Sequence, residues 1–187
     1  MKFSMKKVTV LLADGFEEIE ALTVVDLLRR AKVYVDTVSI TDDYTVRGAH
    51  GIPVQTEDLI TEIDFKESDM IVLPGGMPGT TNLKEDENVR KAVQEAYDEG
   101  RYVAAICAAP TILADMGLLK GKRATCYPDM ESEIEDAYLT GAPVATDENI
   151  ITSQGVGTAI DFALKLIEVL ISEEKAVEIA DSIVYQR

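Results

Sequence analysis

The residue best suited to nucleophilic chemistry is Cys107, which ends the apolar run Val103-Ala104-Ala105-Ile106 and is followed by Ala108, Ala109 and Pro110. Small residues suit a sharp strand-to-helix elbow, and a proline suits a first helical turn. Amides at the start of a helix stabilise a thiolate and lower the pKa of the thiol. The same stretch also fits a cysteine packed inertly into a core.

Two other turns carry groups that such a sulfur would need. Ala13-Asp14-Gly15-Phe16-Glu17-Glu18-Ile19-Glu20 leaves one apolar run and opens a helix, with Glu17 and Glu20 three apart on one helix face and Glu18 aimed elsewhere. Acids in a first turn also serve simply as partners of the helix dipole. Leu73-Pro74-Gly75-Gly76-Met77-Pro78-Gly79 follows a second apolar run, and paired glycines let backbone amides approach a ligand or a developing oxyanion. A plain tight turn uses the same residues, and the spacing is neither a Walker loop nor a dinucleotide fingerprint. Ser153-Gln154-Gly155-Val156-Gly157-Thr158 is a further glycine-rich turn, with polar groups able to line a pocket or to cap a helix. Cys126 reads as core or rim packing, with a second redox or resolving thiol as the alternative. The spacing of Cys107, Cys126 and the single histidine, His50, makes no metal cluster.

The elements that must position these turns alternate. Apolar runs predict strands at 8–12, 33–39, 69–73, 103–106, 123–125 and 150–152. Helical spacing predicts helices at 17–31, 89–99, 108–116, 158–170 and 173–182, with a short one near 131–136. Nearly all-apolar strands alternating with helices indicate an α/β sandwich, a mainly parallel sheet covered on both faces. In such sheets, ligands bind beyond the carboxyl ends of the strands, which is where the three turns fall. The stretch 41–63 is less regular and reads as a hairpin or a closing loop, with His50 at its middle.

A length of 187 residues fits one domain, 1–187, able to bury a sizeable core without metal or disulfide. Lys and Arg total 18 against 34 Asp and Glu, and a formal charge of −16 repels nucleic-acid phosphate and anionic lipid. The basic clusters at Lys6-Lys7, Arg29-Arg30-Lys32 and Lys120-Lys122-Arg123 are too short to reverse that. No apolar run approaches the ~20 residues of a membrane span, and the run 8–13 is too short for a signal-peptide core, so a cytoplasmic protein is expected.

Taken together, the segments ADGFEEIE at 13–20, VLPGGMPG at 72–79, AAICAAP at 104–110, ATCYP at 124–128 and TSQGVGTAIDFAL at 152–164 resemble the ThiJ/PfpI (DJ-1/PfpI) family. The resemblance is strongest to its branch containing the Parkinson's-disease-associated deglycase and bacterial relatives. It implies a flavodoxin-like three-layer sandwich, a homodimer, and Cys107 strained at a nucleophile elbow. It also implies that Glu20 keeps its proton and donates to the sulfur, that Gly75, Gly76 and the amide of Ala108 frame an oxyanion pocket, and that Glu17 is a second pocket carboxylate. His50 falls where relatives often carry an arginine facing the cysteine, which would make it a donor or general base; a histidine without chemistry is the alternative. Two departures matter. Ala108 stands where the protease-like branch has histidine, and Tyr127 where the deglycase branch often has one, so neighbours supply no Cys–His pair and peptide hydrolysis recedes.

The activity implied is a cofactor-independent, metal-free glyoxalase or deglycase acting on small α-oxoaldehydes or their adducts, with a small carbonyl metabolite as its partner. The competing readings are an oxidation-sensing or chaperone-like stress protein built on a Cys107 sulfinate, and metabolite binding without turnover.

Overall fold

The computed structural model describes residues 5–186. Its main sheet has seven strands: β1 (Lys7–Leu12), β2 (Tyr34–Ser39), β5 (Asp58–Leu59), β6 (Met70–Leu73), β7 (Tyr102–Ile106), β10 (Val144–Asp147) and β11 (Ile150–Ser153). They lie in the order β10-β11-β7-β6-β1-β2-β5. Every pairing is parallel except β10 with β11, which is antiparallel. Two short ribbons stand apart, β3 (Thr45–Arg47) with β4 (Pro53–Gln55) and β8 (Arg123–Ala124) with β9 (Tyr138–Leu139).

Strand side chains alternate between two cores, as the pleat requires. Val8, Val10 and Leu12 of β1, Met70 and Val72 of β6, and Ala104 and Ile106 of β7 face one core. That core is closed by α1 (Glu18–Arg30), α5 (Ala159–Leu170) and α6 (Glu173–Ser182). Leu11, Ile71, Leu73, Val103 and Ala105 face the other, under α2 (Gly79–Glu85), α3 (Glu87–Asp98) and α4 (Pro110–Asp115). With both faces buried, these strands are nearly all apolar, and the buried Thr9 hydroxyl of β1 is bonded to Ser68 Oγ at 2.6 Å.

Two parts of the architecture differ from the sequence expectation, and a third takes one of the two forms expected of it. The strand expected at 123–125 is real at Arg123–Ala124, but it pairs with β9 outside the main sheet. The short helix expected near 131–136 is a 3-10 turn at Pro128–Glu133. The irregular stretch 41–63 is a hairpin, β3 and β4, followed by β5, which edges the main sheet beside β2.

The strand order reverses at β1. The chain passes from β1 to β2 on one side and later returns through β6 on the other. The crevice at that switch point opens beyond the carboxyl ends of β1, β6 and β7, the place where doubly wound sheets bind ligands.

Candidate active site

Cys107 follows the last residue of β7 and adopts φ 65, the left-handed region. For a non-glycine residue this costs about 1–2 kcal/mol, so the surroundings must impose it. They do so through both backbone groups: the Cys107 amide donates to Ser153 O at 3.0 Å, and its carbonyl accepts from Tyr127 N at 2.8 Å. The sulfur is thereby turned out of the strand into the crevice, half-buried.

Glu20, in the first turn of α1, has no exposed surface. Its Oε2 accepts from Gly75 N at 2.9 Å, whereas its buried Oε1 has no hydrogen-bond donor of ordinary geometry. The carboxyl lies against the Cys107 thiol. Gly75 is required here for closeness: a β-carbon would fall 2.6 Å from both Cys107 Cβ and Glu20 Oε2. Burial raises the Glu20 pKa to about 7, with the charge of Glu17 adding to it and hydrogen bonds from Cys107 and Gly75 N–H opposing it.

The thiol responds to its neighbour's proton. Burial and then the charge of an ionised Glu20 push Cys107 up to about 12, while the amides of Ala108 and Gly76 pull it down. The elbow alone therefore does not make a free thiolate, as the sequence reading expected of a helix start. The thiolate becomes accessible in the state where Glu20 holds the proton, and the two groups titrate as one pair.

The remaining candidates sort by what they touch. The Gly75 amide, expected to face an oxyanion, is committed to Glu20, because fixing a buried carboxyl takes precedence over an open donor. Gly76 and Ala108 are left as the amides acting on the sulfur. Glu17 is the N-cap of α1: its Oε1 accepts from Ile19 N at 3.4 Å, and its own amide donates to Gly75 O at 2.8 Å. Its Oε2 lies 3.5 Å from His50 Nδ1, and its charge reaches Glu20.

His50 is held by the acids at the start of α1. Its Nδ1 lies 2.8 Å from Glu18 Oε2 and 3.5 Å from Glu17 Oε2, with the ring 69% exposed. Glu18, which the sequence reading set aside, is the reason. It is 4% exposed, and its Oε1 accepts from His50 N at 2.8 Å and Ile52 N at 3.4 Å. A side chain at Gly48 would collide with the Glu18 carboxyl, so that glycine admits the anchor. Hydrogen bonds from the His50 ring and the loop amides outweigh the effect of burial and hold Glu18 below the usual carboxylate range, and Glu18 in turn raises His50. The signal available in sequence was the pair Gly48 and Gly51 flanking a lone histidine. Glu17, Glu18 and His50 bring ligand atoms within 4.8 Å of one another, the one such donor set among the described residues. Glu18 and His50 already satisfy each other there.

Cys126 belongs to the core under α4, with no exposed surface, and its sulfur donates to Tyr127 O at 3.3 Å. Burial, then Glu131 and Glu133, push it up to about 11.

A half-buried sulfur, a buried acid with one oxygen lacking a donor and two amides acting on the sulfur are the groups that addition of a thiol to a small electrophile requires. The comparisons agree with this geometry at the level of family. The pattern described as "DJ-1/PfpI family" matches residues 6–169. Protein DJ-1 homolog B of Arabidopsis thaliana is 39% identical over 98% of this chain, which spans only 42% of that longer relative. The glutathione-independent glyoxalase DJ-1 of Schizosaccharomyces pombe is 34% identical over 91% of this chain and 94% of its own length. The structure of oxidized Toxoplasma gondii DJ-1 superposes with a TM-score of 0.92 at 36% identity, covering 97% of this chain and all of that one. With the sulfur, the acid and the flavodoxin-like sheet arranged as described, and with the match running from β1 to the end of α5, the chain belongs to the DJ-1/PfpI family.

Proposed function

We propose that the protein is a cysteine-dependent, cofactor-independent glyoxalase that converts small α-oxoaldehydes to α-hydroxy acids. The observation that carries this reading is the buried Glu20 carboxyl, its pKa raised to about 7, set against the half-buried sulfur of Cys107. A general acid–base works best with a pKa near the operating pH.

The steps balance without an oxidant or cofactor. Glu20 as carboxylate takes the thiol proton, and the sulfur adds to the aldehyde carbon. The π pair moves onto oxygen, which the amides of Gly76 and Ala108 stabilise and which Glu20 reprotonates, giving a hemithioacetal. Glu20 then takes the proton from the former aldehyde carbon, forming an enediolate, and returns it to the neighbouring carbon while the hydroxyl proton passes from the first oxygen to the second, leaving the thioester of the hydroxy acid. Water cleaves the thioester, releasing the hydroxy acid and the thiol. The relative named a glutathione-independent glyoxalase supports the reading at 34% identity.

Purified protein with methylglyoxal should form lactate without glutathione or metal, and both Cys107→Ser and Glu20→Ala should lose at least ~100-fold in kcat/KM. Unchanged turnover in either variant rejects the mechanism.

A second reading has its own support. The same accessible sulfur suits oxidation to a sulfinate, and a relative of this fold is known in an oxidized form. Peroxide treatment followed by intact-mass analysis should add two oxygens at Cys107 alone, because Cys126 is sealed in the core. Peptide hydrolysis has less support: Ala108 and Tyr127 supply no Cys–His pair, and the chain's single histidine is bonded to Glu18.

A further inference from the structure

Gly155 follows β11 and holds a place that its own backbone does not explain. Its φ of 164 and ψ of −164 are extended, a conformation open to residues with side chains. Its amide donates to Thr158 Oγ1 at 3.1 Å and its carbonyl accepts from Thr158 N at 2.9 Å, so its position is fixed from both sides.

A β-carbon built on Gly155 would stand 3.6 Å from Tyr127 Cδ2, 3.8 Å from Cys107 Sγ and 4.0 Å from Glu20 Oε1. These are ordinary van der Waals contacts, with overlap nowhere. The space beside Gly155 is therefore about one methyl group in size, walled by an aromatic edge, the nucleophilic sulfur and the carboxyl oxygen that lacks a donor.

We propose that Gly155 is a specificity-determining residue, its missing side chain leaving a one-carbon niche that receives the substituent of the aldehyde held on Cys107. The inference rests on the cysteine-dependent reading above. Once sulfur has bonded to the aldehyde carbon of methylglyoxal, the methyl lies two carbons further out. That is van der Waals range from the sulfur, where the niche is centred. The Tyr127 ring gives the methyl an apolar wall, and the Glu20 oxygen stays within reach of the carbons between which the proton moves. A substituent much larger than methyl meets Tyr127 and Glu20 together.

The experiment is a substrate series of glyoxal, methylglyoxal and phenylglyoxal on wild type, Gly155→Ala and Tyr127→Ala, with circular dichroism and iodoacetamide labelling of Cys107 as controls on fold and access. Alanine at 155 fills the niche, so the ratio of kcat/KM for methylglyoxal over glyoxal should fall about tenfold or more, the scale of one methyl group in a shaped pocket. Tyr127→Ala opens the same niche from its other wall and should shift the phenylglyoxal to methylglyoxal ratio upward by about tenfold. Ratios unchanged in both variants, with Cys107 still labelled, would overturn the niche while leaving the catalytic reading intact. A wild type that turns over neither glyoxal nor methylglyoxal ends the catalytic reading, and the niche falls with it.

Discussion

Two acidic protons share one buried space at Cys107 and Glu20, and which group keeps the last one decides the chemistry. With the Glu20 pKa raised from 4.5 to about 7 in the fold, the native state binds this proton more tightly than the unfolded chain does. The stabilising contribution is therefore complete below pH 4.5 and is lost as the pH rises through about 7. The loss amounts to roughly 3 kcal/mol over that window. Urea unfolding of wild type and Glu20→Gln at the two ends of the window should show wild type declining by about that much more than the variant. Parallel curves would mean that Glu20 ionises as freely in the fold as outside it. The position of Cys107 was readable because it ends an apolar run, whereas Glu20 was set apart from Glu17 and Glu18 only by the family resemblance. The commitment of the Gly75 amide to Glu20 was not readable, since a glycine turn looks the same whether its donors face a ligand or a neighbouring carboxyl. Glu18 stayed hidden for a related reason: its partners, the His50 ring and the amides of His50 and Ile52, lie some thirty residues away.

At the scale of elements, the site depends on the β3–β4 hairpin being fastened to the turn between β1 and α1. Gly15 N donates to Arg47 O, Arg47 N to Asp14 Oδ1 and Ala49 N to Phe16 O, each at 2.8 Å, and Glu18 completes the attachment. Removing the Glu18 carboxylate strands the amides of His50 and Ile52, so Glu18→Ala should cost about 1–3 kcal/mol. Deuterium uptake should quicken at residues 48–52 while β1 and β6 keep their protection. Uniform quickening across the chain would assign Glu18 a global role instead. The parallel strands β1, β6 and β7 were legible as nearly unbroken apolar runs, and β2 and β11 from the apolar residues that surround buried Asp36, Thr37 and Thr152. Others were not. The two residues of β5 are too few to show a period, and β10, at the sheet margin, mixes Val144 and Ala145 with Thr146 and Asp147. Helix α2 begins immediately after Pro78 and carries adjacent threonines, residues that by themselves favour turns and strands over a helix. Whether 123–125 joined the main sheet could not be read either, because its partner, Tyr138–Leu139, has only two residues and both are exposed.

Over the whole molecule, a formal charge of −16 surrounds an apolar face beside the site. Ile19 and Leu22, three apart on α1, and Ile52, whose amide reaches Glu18, are 53%, 36% and 51% exposed. We propose a second copy of the chain as the partner of this face. Light scattering at micromolar concentration should give twice the 20.4 kDa chain mass, and Ile19→Asp should return it to one chain. Because two strongly acidic bodies repel, the association should also tighten between 20 and 200 mM salt, roughly the range over which surface charges become screened. A wild type of single-chain mass at both salt concentrations would remove the dimer. Among the described residues no helix is long and apolar enough to cross a membrane.

The backbone of Cys107 is gripped from two directions, by Ser153 at the end of β11 and by Tyr127 ahead of the 3-10 turn. A joint pinned this way cannot relax when an oxygen or a carbon is attached to its sulfur. Of the groups that border the socket, Glu20 has no exposed surface whereas Tyr127 is 44% exposed. A change of a few atoms inside should therefore be read from outside at Tyr127.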